Sequence, residues 1–284
     1  MEKELTFSAC SSGFFSCCNI ILMKIIEYFN THNMLPEKIN TENFFSVYQL
    51  SENQDIFKYI FYEKDINITF TDKISISKTN FEPQFSDYKL INYDLLHLFI
   101  EKYFNITPSI QNKIMELKHK YNIYEQENEN LCGVFYRGND KIKETNPPSY
   151  QEIIDKALEI KTMNNNNIKF IIQTDENNFL QYFLSIFPDS IFFKEIPIIQ
   201  QQMTTVAEMY RDNSNKLEIL EYYVASIVIL SSLTNVVFTS GNGELFMCFF
   251  RNHANGIHQY LKKNEFIHGT YNNDYNPNET QFWF

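Results

Sequence analysis

The second half of the chain alternates between short apolar runs and longer amphipathic segments. Apolar runs at residues 132–136, 168–173, 191–193 and 236–238 predict strands. Helical patterns separate them, at residues 149–163, 177–187 and 217–233 and again from Glu244. Strands that are apolar throughout and separated by helices are typical of a parallel sheet covered on both faces. We therefore expect an α/β fold.

The first half has a less regular pattern. Residues 5–10 alternate like a short strand, a turn containing Gly13 follows, and residues 14–29 predict a helix. A single glycine is weak evidence for a nucleotide-binding turn, so an ordinary strand–helix unit explains this stretch better. Residues 36–87 show no clear period, and helices are predicted at 93–104 and 109–121. Acidic residues between 124 and 130 indicate a solvated connector between two halves.

Charge and cysteine content narrow the class of partner and the compartment. The formal net charge is −11 and no basic face is evident, which disfavours nucleic acid as the main partner. Any phosphate-bearing ligand should then be a small one that a few local donors hold. The five cysteines form no CxxC pair, which argues against zinc and favours reduced, mostly buried thiols. Because no secretory pattern and no run of roughly 18–20 apolar residues occurs, we expect a cytoplasmic protein without a membrane span.

Polar residues follow three of the predicted strands, at 137–141 (RGNDK), 174–176 (TDE) and 239–243 (TSGNG). The carboxyl ends of parallel strands meet at one edge of a sheet, where ligands bind. A helix start offers free N–H groups to phosphate, and Arg137 offers a bidentate guanidinium. Each segment alone also has a structural explanation, as a surface ion pair, a helix cap or a tight turn. Together they predict an anion pocket for a diphosphate that carries a sugar or nucleoside.

The segment GVFYRGNDK at residues 133–141 resembles the arginine motif of the α1,6-, α1,2- and protein O-fucosyltransferases. That motif commonly reads Gly-Val-His-Val-Arg-Arg-Thr-Asp-Lys. Residues 170–176 resemble the family's strand that ends in Thr-Asp-Asp, and residues 219–240 resemble its third motif. Residues 103–109 resemble the segment that precedes the arginine strand. The resemblance covers residues 103–251 in order.

The resemblance implies an α/β fold of the GT-B kind with two Rossmann-like halves. It assigns residues 1–125 to the acceptor side and 126–265 to donor binding, with residues 266–284 as a tail. It also implies metal-independent, inverting transfer of fucose from GDP-fucose to a glycan or protein-linked hydroxyl. No Asp-x-Asp metal–diphosphate motif occurs in the chain, so we expect no metal and no cofactor besides the donor substrate.

The resemblance also assigns roles to individual residues. Arg137 is expected to stabilise the departing diphosphate, Lys141 to assist it, and Glu144 to accept the proton of the acceptor hydroxyl. The donor-binding set is Arg137, Asp140, Asp175, Glu176, Asn235, Thr239 and Ser240.

Two positions depart from the arginine motif: Phe135 replaces its histidine and Gly138 replaces its second arginine. These departures leave open a different nucleotide sugar as donor. They also leave open a non-catalytic protein that binds nucleotide sugars or glycans, or a plain α/β binding domain whose resemblance is accidental. The acceptor, the linkage and the oligomeric state stay open.

Overall fold

The first half of the chain consists of helices joined by very short strands. The computed structural model describes residues 4–66, 68, 73–74, 83–124, 130–141, 147–198, 210–211, 213–261 and 283. Its first elements are β1 (Glu4–Thr6), α1 (Phe14–His32), β2 (Lys38–Asn40), α2 (Ile56–Ile60), β3 (Phe61–Tyr62), α3 (Tyr93–Tyr103), β4 (Asn105–Ile106) and α4 (Pro108–Lys120). β1 pairs with β2 in parallel and β3 with β4 antiparallel, so the described part of this half forms two two-stranded sheets.

A parallel sheet of five strands organises the second half. The apolar runs predict four of these strands, and the fifth, at residues 257–260, is not predicted. Its elements are β5 (Leu131–Tyr136), α5 (Tyr150–Met163), β6 (Lys169–Thr174), α6 (Asn177–Ile186), β7 (Ile191–Phe192), α7 (Lys216–Ser231), β8 (Asn235–Thr239), α8 (Asn242–Arg251) and β9 (Ile257–Tyr260). The strands lie in the order β7-β6-β5-β8-β9, and each neighbouring pair is parallel. The chain starts in the middle, moves outward to β7 and returns to the other side of β5. The topological switch point therefore lies between β5 and β8.

Alternate residues of β5 pack on opposite faces of this sheet, as the period of a strand requires. Cys132, Val134 and Tyr136 join a core with α5 and α6. Leu131 and Phe135 belong to a second core that also contains the helices of the first half. Because this second core is continuous, the two halves share buried apolar contacts. The boundary of the domains near residue 125 stays a prediction.

The helix ends follow local signals in the sequence. Ser149 and Glu152 form a capping box at the start of α5, and Pro108 occupies the first turn of α4, where a proline loses no hydrogen bond. No helix in the described ranges is long and apolar enough to cross a membrane.

The segment 83–90 fastens the first half to the carboxyl edge of the sheet. It contains two short 3-10 turns, at Pro83–Phe85 and Tyr88–Leu90. The backbone N–H of Tyr88 donates to Gln259 Oε1 (3.0 Å), and its hydroxyl donates to the carbonyl of Gly241 (2.9 Å). Tyr88 is fully buried. These bonds fix the segment 83–90 next to the ends of β8 and β9.

Gly256 should not tolerate a side chain. Its φ is +70°, and a Cβ atom there would lie 2.0 Å from the carbonyl oxygen of Thr234. We expect Gly256→Ala to lower the free energy of unfolding by about 1–3 kcal/mol, measured by urea denaturation.

Gly13→Ala is the matched control, because a Cβ atom at Gly13 would lie 3.8 Å from Ser16 Oγ, an ordinary van der Waals contact. It should cost less than about 1 kcal/mol. An equal loss of unfolding free energy in the two variants would show that a side chain at position 256 does not strain the backbone.

Candidate functional site

A cleft of about 270 Å³ opens at the topological switch point of the sheet. One wall is the run of residues 11–16, which includes the start of α1. The other wall comes from the ends of β5 and β8, and its residues are Arg137, Asp140, Lys141, Asn242 and Gly243. The hydroxyl-bearing rings of Tyr48 and Tyr223 complete the lining. The cleft therefore lies between the two halves of the chain.

Arg137 is held by two carboxylates. Its Nε–H donates to Asp175 Oδ2 at 2.8 Å, and its Nη2 donates to Asp140 Oδ1 at 2.9 Å. Burial works against the charged form, yet the charges of Asp175 and Asp140 raise the pKa of Arg137 well above its ordinary value. Within the described residues these two bonds use two of the five N–H groups of the guanidinium. The other three N–H groups donate to no side chain or carbonyl among the described residues, and Arg137 lines the cleft.

Lys141 adds a second positive charge to the same wall. It is buried, and its Nζ donates to Gln84 Oε1 at 3.3 Å. The same Gln84 oxygen accepts from Asn242 Nδ2 at 3.2 Å, and Asn242 Nδ2 also lies 3.0 Å from Ser16 Oγ. Gln84 belongs to the segment 83–90, so this segment links Lys141 to the start of α8.

Two helices begin at the cleft, α1 and α8. Their N-cap residues are Gly13 and Gly241, and neither helix has a side-chain cap. The N–H of Phe14 donates to Tyr48 Oη (2.8 Å), and the N–H of Gly241 donates to Tyr88 Oη (3.2 Å). An uncapped helix start has free N–H groups and the positive end of the helix dipole, and both favour an anion.

A buried carboxyl, Glu244, lies in the first turn of α8. Its Oε1 accepts from Thr239 Oγ1 at 3.1 Å, and its Oε2 lies 2.5 Å from the position that a Cβ atom at Gly241 would take. Burial raises the pKa of Glu244, although Arg137 and Lys141 lower it.

Three of the residues predicted from the sequence line the cleft: Arg137, Asp140 and Lys141. Asp175 contacts Arg137 instead of the cleft itself. Glu176 is the N-cap of α6, and its carboxylate accepts from Tyr150 Oη at 2.6 Å.

The other predicted residues lie elsewhere. The hydroxyl of Thr239 donates to Glu244, and the hydroxyl of Ser240 donates to the carbonyl of Tyr260. The sequence predicts Thr239 and Ser240 in the cleft, but Asn242 and Gly243 of the same turn line it instead. Asn235 begins β8 at the opposite edge of the sheet, 3.4 Å from His258 Nε2, so we leave it out of the candidate site. Glu144 lies outside the described residues.

Several lining residues have no local signal in the sequence. Tyr48 lines the cleft only through tertiary contacts, and Gln84 contacts the lining residue Lys141 in the same way. For residues 11–16 the sequence offers only the turn at Gly13, which an ordinary strand–helix unit explains better. Tyr223 comes from the middle of α7, where its position resembles that of any core aromatic residue. Gly243 makes room for it, since a Cβ atom there would meet Tyr223 Oη at 3.0 Å.

A larger cavity of about 890 Å³ lies at the amino-terminal edge of the sheet, next to Gly256 and Thr234. Arg251 lines this cavity, and its guanidinium donates to the main-chain carbonyls of Ser231 and Asn255, at 3.0 and 2.6 Å. Since ligands of open parallel sheets bind at the carboxyl ends of the strands, we take the smaller cleft as the candidate site. No cluster of three or more potential metal ligands occurs among the residues that the structure describes.

No protein-family model and no curated protein matches the chain. Among solved structures, NodZ α-1,6-fucosyltransferase soaked with GDP-fucose aligns over 96% of this chain and 98% of its own, with a TM-score of 0.55 and 13% identity. The protein has a fucosyltransferase-like fold. Fucosyltransferase NodZ from Bradyrhizobium is also similar, with a TM-score of 0.42 and 14% identity over 84% of this chain and 88% of its own. NodZ α-1,6-fucosyltransferase co-crystallized with GDP aligns over 55% of this chain and 45% of its own, with a TM-score of 0.36 and 15% identity. The expected GT-B-like α/β fold class is thereby confirmed.

The raised pKa of Glu244 predicts a pH dependence of stability. The folded protein keeps the Glu244 proton above the ordinary pKa of 4.5, so the stability that this group contributes is present below pH 4.5 and lost as the pH rises through its folded pKa. Glu244→Gln removes this loss. Its free energy of unfolding, relative to the wild type, should therefore increase from about pH 4.5 upward in urea titrations.

Glu52→Gln, which removes an exposed carboxyl, is the control for the loss of one charge. Its free energy of unfolding plotted against pH should run parallel to that of the wild type. A Glu244→Gln curve that also runs parallel would show that Glu244 titrates normally in the folded protein.

Proposed function

We propose that this protein is a glycosyltransferase that transfers fucose from GDP-fucose to a glycan or protein-linked hydroxyl, with inversion and without a metal ion. The observation that carries the proposal is the guanidinium of Arg137, which keeps three N–H donors for a ligand at the switch point of a fucosyltransferase-like fold. The fold alone supports many chemistries, so the argument rests on this site.

The cleft suits the diphosphate of a nucleotide sugar. Arg137 and Lys141 supply two positive charges, and the starts of α1 and α8 add N–H donors on both walls. Its volume of about 270 Å³ is slightly below the roughly 300–1,000 Å³ of most ligand pockets. We therefore assign to the cleft the diphosphate and one sugar that is bonded to it. The hydroxyl of Tyr223, which no described residue binds, is a further donor for this ligand.

In the proposed reaction the acceptor hydroxyl oxygen attacks C1 of fucose from the face opposite the diphosphate. The bond between C1 and the β-phosphate oxygen breaks, and GDP leaves with the bonding electron pair. Arg137 offsets the negative charge that develops on this oxygen, and Lys141 supports it. Glu144 is proposed to take the proton of the acceptor hydroxyl.

Four other predicted residues act indirectly in this proposal. Asp140 and Asp175 orient the guanidinium of Arg137, because both accept its hydrogen bonds. Thr239 and Ser240 shape the turn that leads into α8, through their bonds to Glu244 and the Tyr260 carbonyl.

One observation favours a different sugar on the donor as the second candidate. A Cβ atom at Gly138 would lie 2.3 Å from Glu176 Oε2, so a carboxylate occupies the space that a side chain at Gly138 would need. The protein therefore lacks the second guanidinium that the family motif has at this position, and a donor sugar would be bound without it. Turnover with a panel of GDP- and UDP-sugars separates the two candidates, and GDP binding without turnover or donor hydrolysis would indicate a non-catalytic binding protein.

Replacing Arg137 should abolish most of the transfer activity. We expect Arg137→Ala to lower kcat by about 10²–10³, the usual loss for a donor that stabilises transition-state charge. Arg137→Lys should recover part of the rate, because it keeps the charge but lacks the planar fork that Asp140 and Asp175 hold. GDP release from GDP-fucose measures the rate.

Arg211→Ala is the matched control, because Arg211 is exposed and does not line the cleft. It should retain wild-type turnover. Near-wild-type kcat in a folded Arg137→Ala variant would refute the proposed role of the guanidinium.

A further inference from the structure

One side chain of the first half joins the ends of two strands at the cleft. Gln84 is buried, and its Oε1 accepts from Lys141 Nζ at 3.3 Å and from Asn242 Nδ2 at 3.2 Å. Lys141 follows β5 and Asn242 follows β8, and both residues line the cleft. Because the topological switch point lies between these two strands, a single amide oxygen connects the two sides of the candidate site.

The chemistry of lysine decides which atom of each amide points where. An ammonium group only donates, so the Gln84 atom that faces Lys141 must be its carbonyl oxygen. The Asn242 atom that lies 3.2 Å from that oxygen must then be the nitrogen, since two carbonyl oxygens cannot form a hydrogen bond with each other. The ammonium of Lys141 thus fixes the orientation of both amides.

This orientation extends to the opposite wall of the cleft. The same Asn242 Nδ2 lies 3.0 Å from Ser16 Oγ, in the first turn of α1, so the hydroxyl of Ser16 accepts this hydrogen bond. Its own O–H then points away from Asn242 and donates to no other residue among those described. Because Ser16 lines the cleft, this hydrogen is available to an acceptor oxygen there. The chain of bonds therefore presents a donor to the ligand.

The position of Gln84 does not depend on its own side chain. Its main-chain carbonyl accepts from Tyr88 Oη at 2.8 Å, and the N–H of Tyr88 donates to Gln259 Oε1 at 3.0 Å. Gln259 Nε2 also donates to the carbonyl of Ser86 at 2.9 Å. A substitution of the Gln84 side chain should therefore leave the segment 83–90 in place.

We propose that Gln84 is a positioning residue whose uncharged amide orients Lys141 and Asn242 for an anionic ligand. Through Asn242 it also sets the direction of the Ser16 hydroxyl. Gln84 is not among the residues that line the cleft, so it acts through these partners. The identity of the ligand, GDP, rests on the proposed function, whereas the chain of hydrogen bonds does not.

The lack of charge on Gln84 matters for this role. A glutamate at position 84 has the same length and could accept the same bonds from Lys141 and Asn242. It would also place a negative charge where the Gln84 oxygen now lies, 3.3 Å from Lys141 Nζ. In a buried site this charge would offset that of the ammonium and repel a diphosphate. The amide holds the same geometry without this repulsion.

Gln84→Glu separates a positioning role from a merely structural one. Because it preserves the chain of hydrogen bonds, its melting temperature without ligand should match or exceed that of the wild type. We expect it to bind GDP and inorganic diphosphate about tenfold or more weakly, the size of one charge-assisted contact. Isothermal titration calorimetry measures both affinities.

Gln84→Met removes the amide and keeps a side chain of similar length. Lys141 and Asn242 then lose their shared acceptor, so we expect both ligands to bind about three- to tenfold more weakly, the size of one lost neutral hydrogen bond. If Gln84→Glu does not fold, this variant decides, and wild-type affinity in it overturns the proposal.

Gln111→Glu is the matched control, because it adds the same charge at an exposed residue of α4 that does not line the cleft. It should bind both ligands with wild-type affinity. Wild-type affinity in a folded Gln84→Glu variant, or an equal loss of affinity in Gln84→Glu and Gln111→Glu, overturns the positioning role.

The two proposals fail in different ways. If the wild type binds inorganic diphosphate but not GDP, the proposed function is refuted, while the variants still test Gln84 with diphosphate. If the wild type binds GDP and the Gln84 variants bind it equally well, only the positioning role is refuted. If the wild type binds neither ligand, both proposals are refuted.

Discussion

The ion pairs of Arg137 with Asp140 and Asp175 are the interaction on which the candidate site depends. β5 and β6 pair in parallel with Tyr136 opposite Thr174, so the next residues of the two strands, Arg137 and Asp175, come together at the sheet edge. Removing one partner of a buried pair typically costs about 3–5 kcal/mol, because the other charge stays uncompensated. The sheet register thus fixes the guanidinium, and the remaining N–H groups are oriented before any ligand arrives.

The contacts between the two halves fix the opposite wall of the cleft. A continuous apolar core joins α1 to the second half, and the segment 83–90 is fastened to β8 and β9 by Tyr88. Gln84 of that segment contacts both Lys141 and Asn242. Donors held in this way need little reorganisation when charge develops in a reaction, which is the main source of electrostatic catalysis.

The sequence predicted the features that depend on local pattern. Apolar runs predict β5, β6, β7 and β8 and the helices between them, but not the edge strand β9. The strand ends bring Arg137, Asp140 and Lys141 to one edge. The partners of these residues were not predictable, since Asp140 and Asp175 could equally cap a turn or bind a ligand. Which of them contacts Arg137 depends on strand register, which no local pattern shows.

Long-range contacts account for the other differences between the predicted site and the structure. Residues 36–87 have no regular period, yet they supply Tyr48 to the cleft and Gln84 to its Lys141 and Asn242. The resemblance assigns Asn235 because it lies near the position where the family has an acidic residue, but the five-residue strand β8 separates it from the carboxyl edge of the sheet. The resemblance places Thr239 and Ser240 in the turn that binds the donor phosphate, whereas their hydroxyls donate to Glu244 and to the carbonyl of Tyr260.

The most direct measurement is the melting temperature of the protein with GDP, UDP, ADP, guanosine and inorganic phosphate, each with and without EDTA. A ligand at 100 times its Kd adds about 2.7 kcal/mol to the free energy of unfolding, which is visible as a higher melting temperature. If the cleft binds the diphosphate of GDP through Arg137, GDP stabilises the protein more than the other nucleotides and guanosine do, and EDTA leaves the shift unchanged. No stabilisation by any nucleotide, or an equal shift with guanosine, would mean that the cleft is not a site for the diphosphate of GDP.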